Sequence, residues 1–259
     1  MSRRQRLVAL AAFALLLGCA TPAPGPDNRR SGFYFMGEQT QAMQRDDQSN
    51  PAMLWVQDGQ VAWSAPQGPQ ARACSSCHGG AQSSMRGVAT RYPAWDTVLT
   101  RPVNLGSRIN LCRERYQQQQ PLATDHQQLL ALEAYVAHQS RGLPITPDPD
   151  RRLQPFRERG AVLFAQPMGQ LDLSCAQCHD QLGGRKLAGS LIPQGHPTGY
   201  PLYRLEWQGM GSLQRRLRGC MTGVRAEPFA AGSVEFVELE LHLASRAMGM
   251  ALETPAVRP

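Results

Sequence analysis

Past its first nineteen residues this chain of 259 has no apolar run long enough to cross a bilayer. That excludes a helical membrane protein once the leader is set aside. Charge of one sign is also scarce. The formal charge is +7, but Arg3, Arg4 and Arg6 stand in the leader with no acid beside them, which leaves +4 for the rest. So small a balance excludes a nucleic-acid polyelectrolyte, and local arginine clusters matter more than the total. Cysteine is scarce too, with seven residues, and their placement carries most of the meaning.

Residues 3–6 carry three arginines, and Leu7 to Leu17 form a short apolar run. This pattern predicts an exported leader over residues 1–19, because the run is too short to span a membrane. Leu16-Leu17-Gly18-Cys19 is similar to a bacterial lipobox, which would put a lipid on Cys19; cleavage at Ala20 or Ala23 is the alternative. Both readings expect the chain in the periplasm. Thr21 to Arg30 is Pro-rich and polar, a tether rather than a folded unit.

One pentapeptide pattern occurs twice, as Cys74-Ser75-Ser76-Cys77-His78 and Cys175-Ala176-Gln177-Cys178-His179. Cys-x-x-Cys-His is the attachment signature of c-type haem: paired thiols meet the porphyrin vinyl groups and the imidazole ligates iron. The signature thus calls for two haem c groups, on Cys74 and Cys77 and on Cys175 and Cys178, with His78 and His179 as axial ligands. A shared zinc site is the rival reading, but pairs about 100 residues apart lack compact zinc-ribbon spacing, and zinc gives no reason for the histidines. With one cysteine in the leader and four on haems, Cys112 and Cys220 remain. In an oxidising compartment they could form a disulfide. Yet they stand 34 and 41 residues after their haem histidines, where a small cytochrome c supplies its second axial ligand.

The stretch from Gly142 to Pro149 holds three prolines within six residues and reads as an inter-domain linker. An internal repeat flanks it. Arg108-Ile109-Asn110-Leu111-Cys112 parallels Arg216-Leu217-Arg218-Gly219-Cys220, and Leu132 to Ala137 parallels Leu239 to Ala244. Apolar spacing predicts helices over Gln127 to Ser140, Val234 to Met248 and Pro155 to Ala165, with a weaker one over Gln41 to Val56. The expected fold is mainly α, two tandem class I cytochrome c-like domains over residues 51–145 and 150–259, preceded by an extension over 20–50.

For the distal side of the second iron, the residues offer Met210, Met221, His196 and Cys220; for the first, Cys112, Met85 and His126. Loop position and the repeat favour the two cysteines. Thiolate ligation stabilises ferric iron and lowers the potential relative to methionine, which suits chemistry better than electron relay. Cys220 also stands among Arg215, Arg216, Arg218 and Arg225. Guanidinium forks bind oxyanions, and nearby positive charge activates a thiol. Arg108 stands at the same place before Cys112 as Arg216 before Cys220, so that arginine alone does not choose the reactive unit.

The run Arg216-Leu217-Arg218-Gly219-Cys220-Met221, followed by Arg225-Ala226-Glu227-Pro228, Gly232-Ser233-Val234-Glu235, Leu239-Glu240 and Ser245-Arg246-Ala247, resembles the C-terminal signature of the SoxA family. Those proteins are dihaem cytochrome c subunits of the bacterial sulfur-oxidising (Sox) system. Ser31 to Met36 and Asn50 to Trp55 are similar to the family's N-terminal region. The resemblance implies an L-cysteine S-thiosulfotransferase paired with a small monohaem cytochrome, SoxX. It would join thiosulfate oxidatively to a cysteine of the SoxY–SoxZ carrier and pass two electrons to cytochrome c. It also implies that Cys220 is both iron ligand and sulfur-bearing catalytic residue, often a persulfide, and that Arg216 contacts the substrate anion; Arg218, Arg225 and Arg246 are further candidate contacts. Some members lack the N-terminal haem, but this chain keeps Cys74, Cys77, His78 and Cys112, so it resembles the dihaem type, with the first haem read as structural or electron-transferring. The lipobox departs from a simple periplasmic member. A plain dihaem electron carrier, a thiosulfate dehydrogenase forming tetrathionate and a redox sensor are the competing readings.

Overall fold

The computed structural model describes residues 27–259; the expected leader, Cys19 and the start of the tether lie outside them. Two helical units follow one another, each built from an opening helix, a cysteine-bearing helix and a closing helix. In the first unit these are Met53–Ser64, Leu105–Cys112 and Gln127–His138; in the second, Gln154–Ala165, Leu213–Gly223 and Val234–Arg246. Among the described residues no helix is long and apolar enough to cross a membrane.

Local chemistry sets the helix starts. Asn104 and Ser212 cap the two cysteine-bearing helices, accepting from Ser107 N at 2.9 Å and Arg215 N at 3.1 Å, and Ser233 caps the last helix. The expected helix over Gln41 to Val56 is corrected to two, Glu38–Arg45 and Met53–Ser64. Between them Asp46 accepts from Gln48 N and Ser49 Oγ, and Asn50 precedes Pro51, which disfavours helical backbone.

Each opening helix crosses its closing helix at a glycine. A Cβ on Gly59 would strike the Ala131 carbonyl, and one on Gly160 the Glu238 carbonyl. The close approach lets Trp63 stack edge-on against Tyr135, centroids 6.0 Å apart, and Phe164 meet His242 at 5.1 Å. Around these crossings lie Ala52, Val56, Leu130 and Ala134 in one core, and Phe236, Leu239 and Leu243 in the other.

A short hairpin precedes each cysteine-bearing helix. Ala94–Asp96 pairs antiparallel with Arg101–Val103, and Leu202–Arg204 with Gly209–Gly211. The second hairpin gains a parallel third strand, Ala256–Arg258. The hairpins are exchanged between units: Trp95 of the first lies against Phe156 of the second unit's opening helix, and Tyr203 of the second against Trp55 of the first. The proline-rich segment is no loose linker. Gly142 N and Ile145 N bond to the carbonyls of Leu252 and Met250, both at 2.8 Å, and Ile145 is buried.

A cavity of about 140 Å³ separates the units, lined by Asn104, Gly106, Glu133, Pro201, Gln214 and Glu240. Burial pushes Glu133 up to about 8 and Glu240 up to about 7. Asn104 Nδ2 and Gln214 Nε2 donate to Glu240 Oε1 at 3.1 and 2.7 Å.

Candidate functional site

In the second unit a tight loop, bridged Met168 to Leu173 with Gly169 at φ +70 and Asp172 at φ +49, leads into the haem motif. Gln170 N and Leu171 N dock it on the carbonyls of Arg225 and Val224, at the end of the Cys220 helix. Gln177 Oε1 accepts from Ser174 N at 2.6 Å, and Ser174 Oγ accepts from Gln177 N at 3.1 Å. These bonds wind Cys175, Cys178 and His179 into one turn against that helix. His179 Nδ1 lies 2.7 Å from the Pro193 carbonyl and donates to it, which leaves Nε2 for a metal. Gly195, at φ +72, has no Cβ because one would stand 3.1 Å from the imidazole.

Cys220 lies beside His179 and Arg216, close enough for both to act on its thiol. Burial works against ionising its thiol, but His179, Arg216 and Arg204 together outweigh it and hold the pKa below the ordinary thiol value. Arg216 is half-buried on the same helix, four residues before Cys220.

The first unit repeats this geometry. Gly68, at φ +71, abuts the Gln117 carbonyl, and Gln117 Nε2 donates to the Arg72 carbonyl at 2.8 Å. Cys74–His78 is helical, with the Trp63 ring 5.7 Å from His78 and Trp63 Nε1 donating to the Gly79 carbonyl at 3.0 Å. Cys112 lies near Cys74 and Cys77, but burial raises its pKa despite Arg108 and Arg115. The two cysteines thus differ in electrostatic environment although their backbones match.

All six described cysteines are unpaired, so no disulfide links Cys112 to Cys220. The other ligand candidates are engaged elsewhere. Met210 is fully buried in the first unit's core, Met221 packs under Phe164 and Phe236, and Met85 lies in the first core. His126 caps the Gln127–His138 helix through Nδ1, 3.2 Å from Gln128 N. His196 lies among Arg246, Arg29 and Asp180, and burial lowers it to about 4.

The arginines also separate. Arg218 is exposed. Arg215 stacks on Trp207 with its guanidinium 4.2 Å from the ring centroid. Arg225, expected as an anion contact, instead lines a separate cleft with Met168, Gly169 and Phe229. Arg246, also expected there, pairs with Asp180 at 2.5 Å, reaches the Gln194 carbonyl at 3.2 Å and covers Phe164. It braces the haem-motif segment.

Sequence reading missed Tyr200, Arg204 and their first-unit counterparts Tyr92 and Asp96. The signal was present: Tyr92-Pro93 and Tyr200-Pro201 each stand 20 residues before the cysteine, and the intervening stretches align without a gap. Burial pushes Tyr200 up to about 12, so it stays a neutral phenol beside Arg216 and Cys220.

The donor sets fit haem c. Each unit sets two thiols one turn apart to bond the porphyrin edge, and an imidazole and a lone sulfur beside them to ligate its iron. Among the described residues no three His, Cys, Asp or Glu side chains converge as a metal cluster, so the cysteine pairs form no shared zinc centre. Fold and site together define a c-type cytochrome of two tandem cytochrome c units.

The family model for the SoxA/TsdA cytochrome c domain matches residues 58–145 and again 159–252. The L-cysteine S-thiosulfotransferase subunit SoxA of Pseudaminobacter salicylatoxidans is 37% identical over 92% of this chain and 84% of its own length. The subunit of the same name from Rhodovulum sulfidophilum is 35% identical over 92% of this chain and 85% of its own. Among solved structures, SoxXA from P. pantotrophus superimposes with a TM-score of 0.86 at 33% identity, covering 89% of this chain and 87% of that one. The chain belongs to the SoxA family.

Proposed function

We propose that this chain is the catalytic subunit of an L-cysteine S-thiosulfotransferase, carrying two haem c groups and paired with a SoxX-like monohaem cytochrome in the bacterial periplasm. Its substrates are thiosulfate and a cysteine of a SoxY–SoxZ-like carrier, and its electrons leave to cytochrome c. The observation that carries this reading is Cys220 set beside His179 and Arg216, which in that order favour its thiolate.

Cys175, Cys178, His179 and Cys220 are the residues that would hold a haem c here, and it would supply an electron acceptor next to the reacting sulfur. Arg216 holds the sulfonate end of thiosulfate by a charge-assisted fork and aims its sulfane sulfur at Cys220. An S–S bond forms there, with loss of the thiol proton and two electrons. The carrier thiolate then attacks that sulfane sulfur, the bond to Cys220 breaks, and Cys220 leaves as thiolate. In sum, carrier thiol and thiosulfate dianion give a carrier-bound S-thiosulfonate monoanion, one proton and two electrons. Cys74, Cys77, His78 and Cys112 would hold a first haem, with a structural or electron-transferring role rather than a place at the reacting sulfur.

Cys220→Ala and Arg216→Ala test the reading by mass spectrometry of the carrier after incubation with thiosulfate and ferric cytochrome c. Cys220→Ala is expected to abolish the thiosulfonate adduct and Arg216→Ala to slow it at least about tenfold. Normal adduct formation by both variants overturns the assignment. Intact mass of the exported chain checks the two haem increments.

A further inference from the structure

Arg108 and Arg216 hold equivalent places, yet the hairpin residue set against each carries opposite charge. In the first unit Asp96 reaches Arg108 at 2.8 Å and Arg115 at 3.5 Å, with only 2% of its side chain exposed. In the second unit the residue at that place is Arg204. It ends the equivalent strand of the equivalent hairpin, in the same register, before the equivalent capped helix. A side chain from this strand position reaches the arginine before the cysteine, so Arg204 sets a second guanidinium beside Arg216.

Arg204 is only 15% exposed. Its Nη2 holds the outlying Glu206 at 2.8 Å, while its Nε is buried with no partner. Burial first, then Arg216, disfavour its charge. A buried donor left unpaired and two cations side by side are both costly arrangements. A dianion between the two forks satisfies both.

We infer that Arg204 is a second substrate-binding residue of the Cys220 site, clamping with Arg216 a doubly charged sulfur oxyanion that Asp96 bars from the first unit. This assignment rests on the reaction proposed above. One guanidinium then answers each charge of thiosulfate. It also gives the two units different anion sites: in the first the buried Asp96 carboxylate already occupies the Arg108 fork, and in the second a guanidinium stands at that place.

The test uses the haem-loaded heterodimer. Thiosulfate affinity is measured by calorimetry without carrier, and conjugation kinetics with it. Arg204→Gln is expected to raise both Kd and KM about tenfold or more, with a smaller change in kcat and an unaltered haem spectrum. Arg204→Lys should fall between, since it keeps the charge and loses the fork. The wild type gives an independent reading: sulfate, a dianion, should compete with thiosulfate at least about tenfold better than methanesulfonate, which has similar shape and one charge fewer. Unchanged Kd and KM in Arg204→Gln, or equal competition by the two anions, overturns the clamp while leaving Cys220 as reaction centre. Retained activity in Cys220→Ala overturns the reaction centre itself.

Discussion

Asp96 and Arg204 occupy the same place in two copies of one loop. Asp96 also accepts from the turn amides of Val98 and Leu99 at 3.0 and 2.7 Å, so it shapes its hairpin as well as neutralising Arg108. Asp96→Asn keeps an acceptor for the turn but leaves Arg108 and Arg115 without a counter-charge, and should destabilise the protein by about 1–3 kcal/mol in denaturant unfolding. No loss would show that the pair is solvated in solution. The candidate residues were readable in sequence, because Cys-x-x-Cys-His and a cysteine preceded by arginine stand out by spacing alone. Which arginines face the cysteine was not readable. Arg225 and Arg246 stand in the same charged stretch, yet one lines another cleft and the other is spent on Asp180.

At the scale of elements, a glycine crossing seats each opening helix on its closing helix. Gly59→Ala and Gly160→Ala should each cost about 1–3 kcal/mol or more, because the added methyl meets a backbone carbonyl that a side chain's rotation cannot relieve. A fall in Tm for both, with haem still attached, is the expected result; unchanged Tm would mean the helices separate at little cost. Apolar periodicity foretold three of the long helices to within a few residues, since a stripe at threes and fours has one efficient way to bury itself. It merged Glu38–Arg45 with Met53–Ser64, where Asn50-Pro51 interrupts a pattern that hydrophobicity alone carries through. The hairpins escaped notice altogether: strands of three residues are too short for alternation to register.

The whole molecule is two units locked by exchange. Each hairpin packs on the other unit's opening helix, and the carboxyls of Glu133 and Glu240 meet a cavity between them. Because burial raises both pKa values, to about 8 and about 7, the folded state holds protons that the unfolded chain has already lost. Stability should therefore fall as pH rises from about 4.5, the usual glutamate range, through about 8, and level off above. Glu133→Gln should flatten that slope and raise Tm at pH 8 to 9; a Tm profile like the wild type's would show the carboxyl to be solvated. By itself the sequence determined the tandem units, the two Cys-x-x-Cys-His turns, the lone cysteines and the family they signal. These depend on residue identity at short, fixed separations. Only the tertiary structure decided which hairpin residue stands against each arginine, Asp96 at Arg108 and Arg204 at Arg216, because these groups act through space, across a strand and a helix that no local pattern connects.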